Sequence, residues 1–138
     1  MLQVEVNLIA VLAAAIASMA IGMLWYSPLL FGKQWMELSG RSEKEMKQAK
    51  KGIWKTYSAS FIMGFVMAYV LAMFLEIFRA RLTIEAMQIA FMAWVGFVAT
   101  TIANDFLYSG KPMKLYWINA GYYAVSLIAM GMVLFWLK

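Results

Sequence analysis

Two residue types are missing from this 138-residue chain altogether: it contains no cysteine and no histidine. Their absence removes disulfides, thiol nucleophiles, imidazole general bases and the usual zinc, haem and copper ligand sets. Aspartate occurs once, at Asp105, and proline twice, at Pro28 and Pro112. Charged side chains make up only 14% of the residues, against about a quarter in an average soluble domain. Water is therefore not the main solvent of this chain. No metal site and no cofactor is expected, and the inventory for an enzyme is thin.

What the chain has instead is apolar length. Hydrophobic residues reach 64%, gathered into four stretches at about 6–26, 54–78, 84–107 and 115–137. Each is close to the ~20 residues that cross a ~30 Å hydrocarbon core. The expectation is an all-α integral membrane protein: one transmembrane domain over 1–138, with four transmembrane helices and a cytoplasmic interfacial amphipathic helix after the first. The 13 methionines are scattered over the four stretches, which suits packing filler better than a soft-metal site. Met1-Leu2-Gln3-Val4-Glu5 lacks the positive charge of a signal peptide, so the first stretch reads as a retained helix.

A corner follows that first helix. Trp25 and Tyr26 suit the headgroup level. Ser27 is placed to cap a new helix, with Pro28 at its first position, where a missing N–H costs nothing. Beyond it Phe31, Trp35, Met36 and Leu38 share one side and Lys33, Gln34 and Glu37 the other, although Leu30 breaks the pattern. The rest of segment 28–52 is strongly basic. Ser42 and Glu45 have capping-box spacing, and Gly52 suits a helix end. Lys47, Lys51 and Lys55 recur every four residues, a stripe able to rest on anionic lipid at about 1 kcal/mol per lysine. Nucleic acid is not the expected partner of this charge run; membrane lipid is.

Small residues also recur every four: Ala10, Ala14, Ser18 and Gly22 in the first stretch, Ser60, Gly64, Ala68 and Ala72 in the second. Antiparallel packing would pair Gly22 with Ser60, Ser18 with Gly64, Ala14 with Ala68 and Ala10 with Ala72. It would also bring Asn7 to the depth of Glu76, as a polar pair at the outer end with Arg79 and Arg81 close by. The third stretch carries Gly96, Thr100 and Asn104 in a small or polar row and ends in Asn104-Asp105. Lys111 and Lys114 follow closely, so an ion pair is expected for Asp105. Asn119 enters the fourth stretch at about the depth of Asn104, which predicts a hydrogen bond between them. Gly64-Phe65-Val66 and Gly96-Phe97-Val98 share three letters, too few in so small an alphabet to argue an inverted repeat.

Orientation comes from counting. Lys33, Arg41, Lys44, Lys47, Lys50, Lys51, Lys55, Lys111 and Lys114 lie on one side; Arg79, Arg81 and Lys138 lie on the other. The positive-inside rule then puts both longer-charged connections in the cytoplasm and both termini outside.

Leu24-Trp25-Tyr26-Ser27-Pro28-Leu29-Leu30-Phe31-Gly32-Lys33 with Trp35-Met36, Trp94-Val95-Gly96-Phe97-Val98-Ala99-Thr100-Thr101, and Asn119-Ala120-Gly121-Tyr122-Tyr123 together resemble the bacterial membrane family known as domain of unknown function 1761. The resemblance implies a small four-helix inner-membrane protein and carries no established activity. Its motifs sit at the ends where Trp25, Tyr26, Asn104, Asp105 and Asn119 would form a candidate polar site. The reading preferred is a structural or interaction protein that self-associates or joins a larger membrane complex. An oligomeric small-solute transporter or channel is the alternative. A lipid or quinone enzyme using Asp105, Tyr26 or Tyr108 would lack paired carboxylates, because Glu76 and Asp105 lie at opposite faces.

Overall fold

The computed structural model describes residues 3–138, which form six helices: α1 (Leu8–Trp25), α2 (Gly32–Ser39), α3 (Glu43–Lys50), α4 (Ile53–Ile77), α5 (Thr83–Ser109) and α6 (Met113–Leu137). Four of them, α1, α4, α5 and α6, are long and apolar enough to cross a membrane. Local chemistry sets their ends. The Asn7 side chain accepts from the Ile9 and Ala10 amides at the start of α1. Ser42 accepts from the Glu45 amide ahead of α3, and the Glu85 carboxylate reaches back to the amides of Arg81 and Leu82 ahead of α5. Gly40 and Gly110 turn the chain out of α2 and α5 in left-handed conformation, with φ of 69° and 68°.

The fourth long helix is the hub. α6 packs along α1 on one flank and along the first half of α5 on the other, while α4 lies mainly on α1 and barely touches α5. Of the four long helices α5 is the least buried and α6 the most. Between α1 and α4 the small residues do what their spacing predicts over the half nearer the start of α1: Ala10, Ala14, Ala68 and Ala72 are buried in one core with Val11, Leu75 and Met130. A Cβ on Gly64 would lie 3.8 Å from the Ser18 hydroxyl. The predicted pairing stops there. Gly22 faces Tyr122 rather than Ser60, with room for a Cβ only 3.1 Å from the phenol oxygen. Ser60 is exposed. The Tyr122 ring occupies the space that a close α1–α4 contact would need, so the two helices part below Ser18.

Helix α5 departs from a uniform α-helix at Trp94–Ala99, a wide π segment that periodicity did not suggest. It is braced against α6 at both ends: the Trp94 indole donates to the Ala120 carbonyl at 2.8 Å, and the buried Tyr116 hydroxyl donates to the Ala99 carbonyl at 3.1 Å. On the other half of α5, Gly131 of α6 leaves a Cβ only 3.1 Å from the Ala86 carbonyl and 3.3 Å from the Ala90 methyl. The shared Gly-Phe-Val letters do not mark equivalent places, because Gly64 is packed on α1 whereas Gly96 has nothing within 4 Å of a Cβ.

The corner is built differently from the expected cap. Ser27 does not cap α2; its hydroxyl donates backward to the Leu24 carbonyl at 2.6 Å, closing α1. Pro28 sits in a run of turns, and α2 begins four residues later at Gly32 without a side-chain cap. The amides of Leu30 and Gly32 both donate to the Ser27 carbonyl, and that of Phe31 to Trp25. Backbone bonds of this short range wind the chain so tightly that a Cβ on Gly32 would fall 2.5 Å from the Tyr26 carbonyl. From there α2 lays Trp35 and Leu38 on the cluster of Phe106, Leu115, Tyr116 and Ala120 and leaves Lys33, Gln34 and Glu37 exposed.

Candidate functional site

Three side chains from the corner and from α5 converge on one turn of α6. Trp25 donates its indole N–H to the Ile118 carbonyl at 2.9 Å, and Tyr26 donates its hydroxyl to Asn119 Oδ1 at 2.9 Å. Trp94 takes the Ala120 carbonyl from the other side. The next residue is Gly121, where a Cβ would meet the Trp25 ring at 3.2 Å. Glycine is needed there because the indole lies on the helix backbone itself.

One turn deeper, a chain of hydroxyls ties α1 to α6. Ser126 donates to the Ser18 hydroxyl at 2.8 Å, and Tyr122 donates to the Ser18 carbonyl at 3.3 Å. Ser126 and Ser18 are 1% and 7% exposed, so each buried hydroxyl has found its partner across the interface. Aromatic contacts extend the cluster: Tyr26 and Tyr122 ring centroids lie 5.5 Å apart, and those of Tyr122 and Tyr123 4.9 Å.

Where α1 and α4 part, a cavity of about 450 Å³ opens beside this cluster. Ser18, Gly22 and Gly64 line it, with Tyr26, Tyr122 and Tyr123 along one side and Tyr57, Ser60 and Met63 towards the rim. The family model described as "Protein of unknown function (DUF1761)" matches residues 9–135. The chain belongs to the DUF1761 family. No curated protein and no solved structure matches it.

In this DUF1761 member the three stretches that carried the resemblance meet in space. Trp25 and Tyr26 from the first, Trp94 from the second and Asn119 to Tyr123 from the third form the cluster just described.

Not every predicted site residue joins them. Asn119 spends its side-chain oxygen on Tyr26 rather than on Asn104. Asn104 and Asp105 lie exposed on another face, and Asp105 pairs with Lys111 at 3.6 Å. Of the predicted five residues, Tyr26 bonds to Asn119 and Trp25 to the neighbouring Ile118 carbonyl, whereas Asn104 and Asp105 make no bond to any of them. At the opposite end Asn7 and Glu76 line the same depression but do not bond to each other. Asn7 donates to the Leu137 carbonyl at 3.0 Å, and Glu76 pairs with Lys138 at 3.5 Å. The C-terminal turn of α6 reaches between them and supplies partners to both. Lys47, Lys51 and Lys55 are all exposed.

Ser126, Tyr122 and Tyr123 were not singled out as site residues from the sequence. The signal was present: Tyr122 and Ser126 stand four apart on α6, one polar stripe that matches Ser18 on α1.

Proposed function

We propose that the chain is a structural or interaction protein of the bacterial inner membrane that works as a homo-oligomer, with α5 as the surface meeting a second copy. One observation carries this reading. Gln88, Met92, Gly96, Thr100 and Asn104 recur every four residues along α5, and all five are exposed.

In a uniform α-helix each four-residue step overshoots a full turn by roughly 40°, so such a row would wind around the helix. The π segment at its centre holds more residues per turn and takes back part of that drift. The row is thereby held closer to one side, and its first half, Gln88, Met92 and Gly96, borders the open groove towards α4. Polar side chains inside a membrane normally face another helix. Here Thr100 satisfies itself on the Gly96 carbonyl, but among the described residues the amides of Gln88 and Asn104 have no hydrogen-bond partner. A carboxamide is its own complement, donor against acceptor, so a two-fold axis beside α5 would let each amide meet its copy. Gly96, with open space around it, lets the backbones approach there.

Lys and Arg distribution supports a topology with the corner, α2, α3 and the α5–α6 turn in the cytoplasm and both termini outside. Trp35 and Leu38, packed on the bundle while Lys33 and Glu37 stay exposed, support α2 as the helix at that membrane surface. Lys47, Lys51 and Lys55 would then face anionic lipid.

The absence of native cysteine makes the test clean. Single Thr100→Cys and Met92→Cys variants in membranes should form disulfide dimers on mild oxidation, while Met63→Cys should not. Gly96→Leu should weaken association measured by single-molecule photobleaching in liposomes, with the fold intact. Monomers at every protein-to-lipid ratio, or equal crosslinking at all three positions, would overturn the reading.

A further inference from the structure

We propose that the cavity between α1, α4 and α6 is a binding site for a neutral, carbonyl-bearing ring on an apolar tail, the chemistry of a quinone, admitted sideways from the bilayer.

Size comes first. A volume of about 450 Å³ lies in the range of small-molecule sites and far exceeds a single ion. Charge comes second: no Asp, Glu, Lys or Arg lines it, so a charged ligand would find no counter-charge. Hydrogen bonding comes third. The protons of Tyr26 and Tyr122 are already committed, to Asn119 and to the Ser18 carbonyl. Tyr123, Tyr57 and Ser60 also line the cavity, and among the described residues their hydroxyls have no bonding partner. They are donors available to an acceptor, Tyr123 from the partly buried wall and Tyr57 and Ser60 from the exposed rim. A ligand with carbonyl oxygens and no charge answers all three observations.

The walls favour a flat ring over a flexible ester. Tyr26, Tyr122 and Tyr123 stand in successive contact and present ring faces and edges. Opposite them Met19 and Met23 on α1 and Met63 and Met67 on α4, each pair one turn apart, supply polarisable thioethers that fit around an aromatic or conjugated ring. The route in is lateral. Met23 and Met63 are 57% and 65% exposed at the rim, while Ser18 and Gly64 are buried at the floor. The tail of the ligand would leave between α1 and α4 into lipid.

The experiment uses the full chain in detergent or nanodiscs and a decyl-tailed benzoquinone as probe, with bound equivalents read by native mass spectrometry. Saturable binding of one equivalent per chain is expected. Tyr123→Phe, which keeps the ring and removes a donor, should weaken it by roughly tenfold, and Ser60→Trp at the rim should block it. Leu82→Trp, exposed in the connection at the opposite end of the bundle and lining neither the cavity nor the α5 row, should leave it unchanged. Circular dichroism and melting of each variant separate loss of the site from loss of the fold, and the retained ring of Tyr123→Phe keeps the test valid if Ser60→Trp misfolds. Uptake that never saturates, or equal binding by all variants, would overturn the proposal. Displacement of the quinone by an equal concentration of dioctanoylglycerol would assign the site to ester lipids and overturn the ring.

Discussion

The hydroxyl of Tyr26 donates to the side-chain oxygen of Asn119 at 2.9 Å, joining the end of α1 to the second turn of α6 across 93 residues of sequence. With Trp25 bonded one residue away at Ile118, the corner is held to α6 by two side chains of opposite reach. A double-mutant cycle of Tyr26→Phe and Asn119→Leu, followed by unfolding in mixed micelles, should give a coupling of about 0.6 kcal/mol, the membrane-protein average for such bonds. A coupling of zero would mean that the corner is held by packing alone.

Glycines at two places on the bundle should respond in opposite directions. Gly131→Ala forces a methyl to within 3.1 Å of the Ala86 backbone carbonyl, which cannot swing aside, and should cost about 1–3 kcal/mol. Gly96→Ala meets nothing within 4 Å and should be neutral, or stabilising by up to ~1 kcal/mol through helix propensity. Thermal melting of the two variants in one detergent compares them directly.

Gly32→Ala should be the most damaging change at the corner. The added Cβ would fall 2.5 Å from the Tyr26 carbonyl and 2.7 Å from the Ser27 carbonyl, both main-chain atoms. The turn must open, and Trp25 and Phe31, whose rings now lie 4.7 Å apart, must separate. The expected readout is a shift in tryptophan emission together with a lower melting temperature; unchanged emission would show that the turn relaxes without moving the rings.

Ion pairs should matter little. Glu76 and Lys138 meet at 3.5 Å but are 41% and 39% exposed, and Asp105 and Lys111 are more exposed still. Glu76→Gln and Asp105→Asn should each change stability by less than about 1 kcal/mol. A larger loss for Glu76→Gln, restored by adding Lys138→Met, would instead mark a desolvated pair.

Much of this fold was legible because it depends on local composition. Helices of membrane-crossing length follow from apolar runs, the Ser42 cap from its spacing to Glu45, and the Ala10–Ala14 half of the α1–α4 seam from alanines four residues apart. The candidate site was legible only in part. The sequence places Trp25, Tyr26 and Asn119 near one end, and the structure ties Tyr26 to Asn119 and Trp25 to the neighbouring carbonyl, but the sequence matches Asn104 to Asn119 on depth alone. Depth along a helix is set by residue number, whereas the face on which a side chain emerges depends on every turn before it. The π segment at Trp94–Ala99 alters that count, and nothing in the letters Trp94 to Ala99 announces a wide turn.

The sequence by itself therefore determined that four apolar helices form, roughly where each lies, and the family to which they belong. Only the tertiary structure decided that α6 is the hub, that Tyr122 rather than Ser60 faces Gly22, that Glu76 takes Lys138 rather than Asn7, and that a cavity opens below Ser18. The physical reason is the same in each case. Helix formation is governed by residues within a few positions of one another, but which partner a polar side chain finds is a competition among groups scores of residues apart, settled only when the helices have packed.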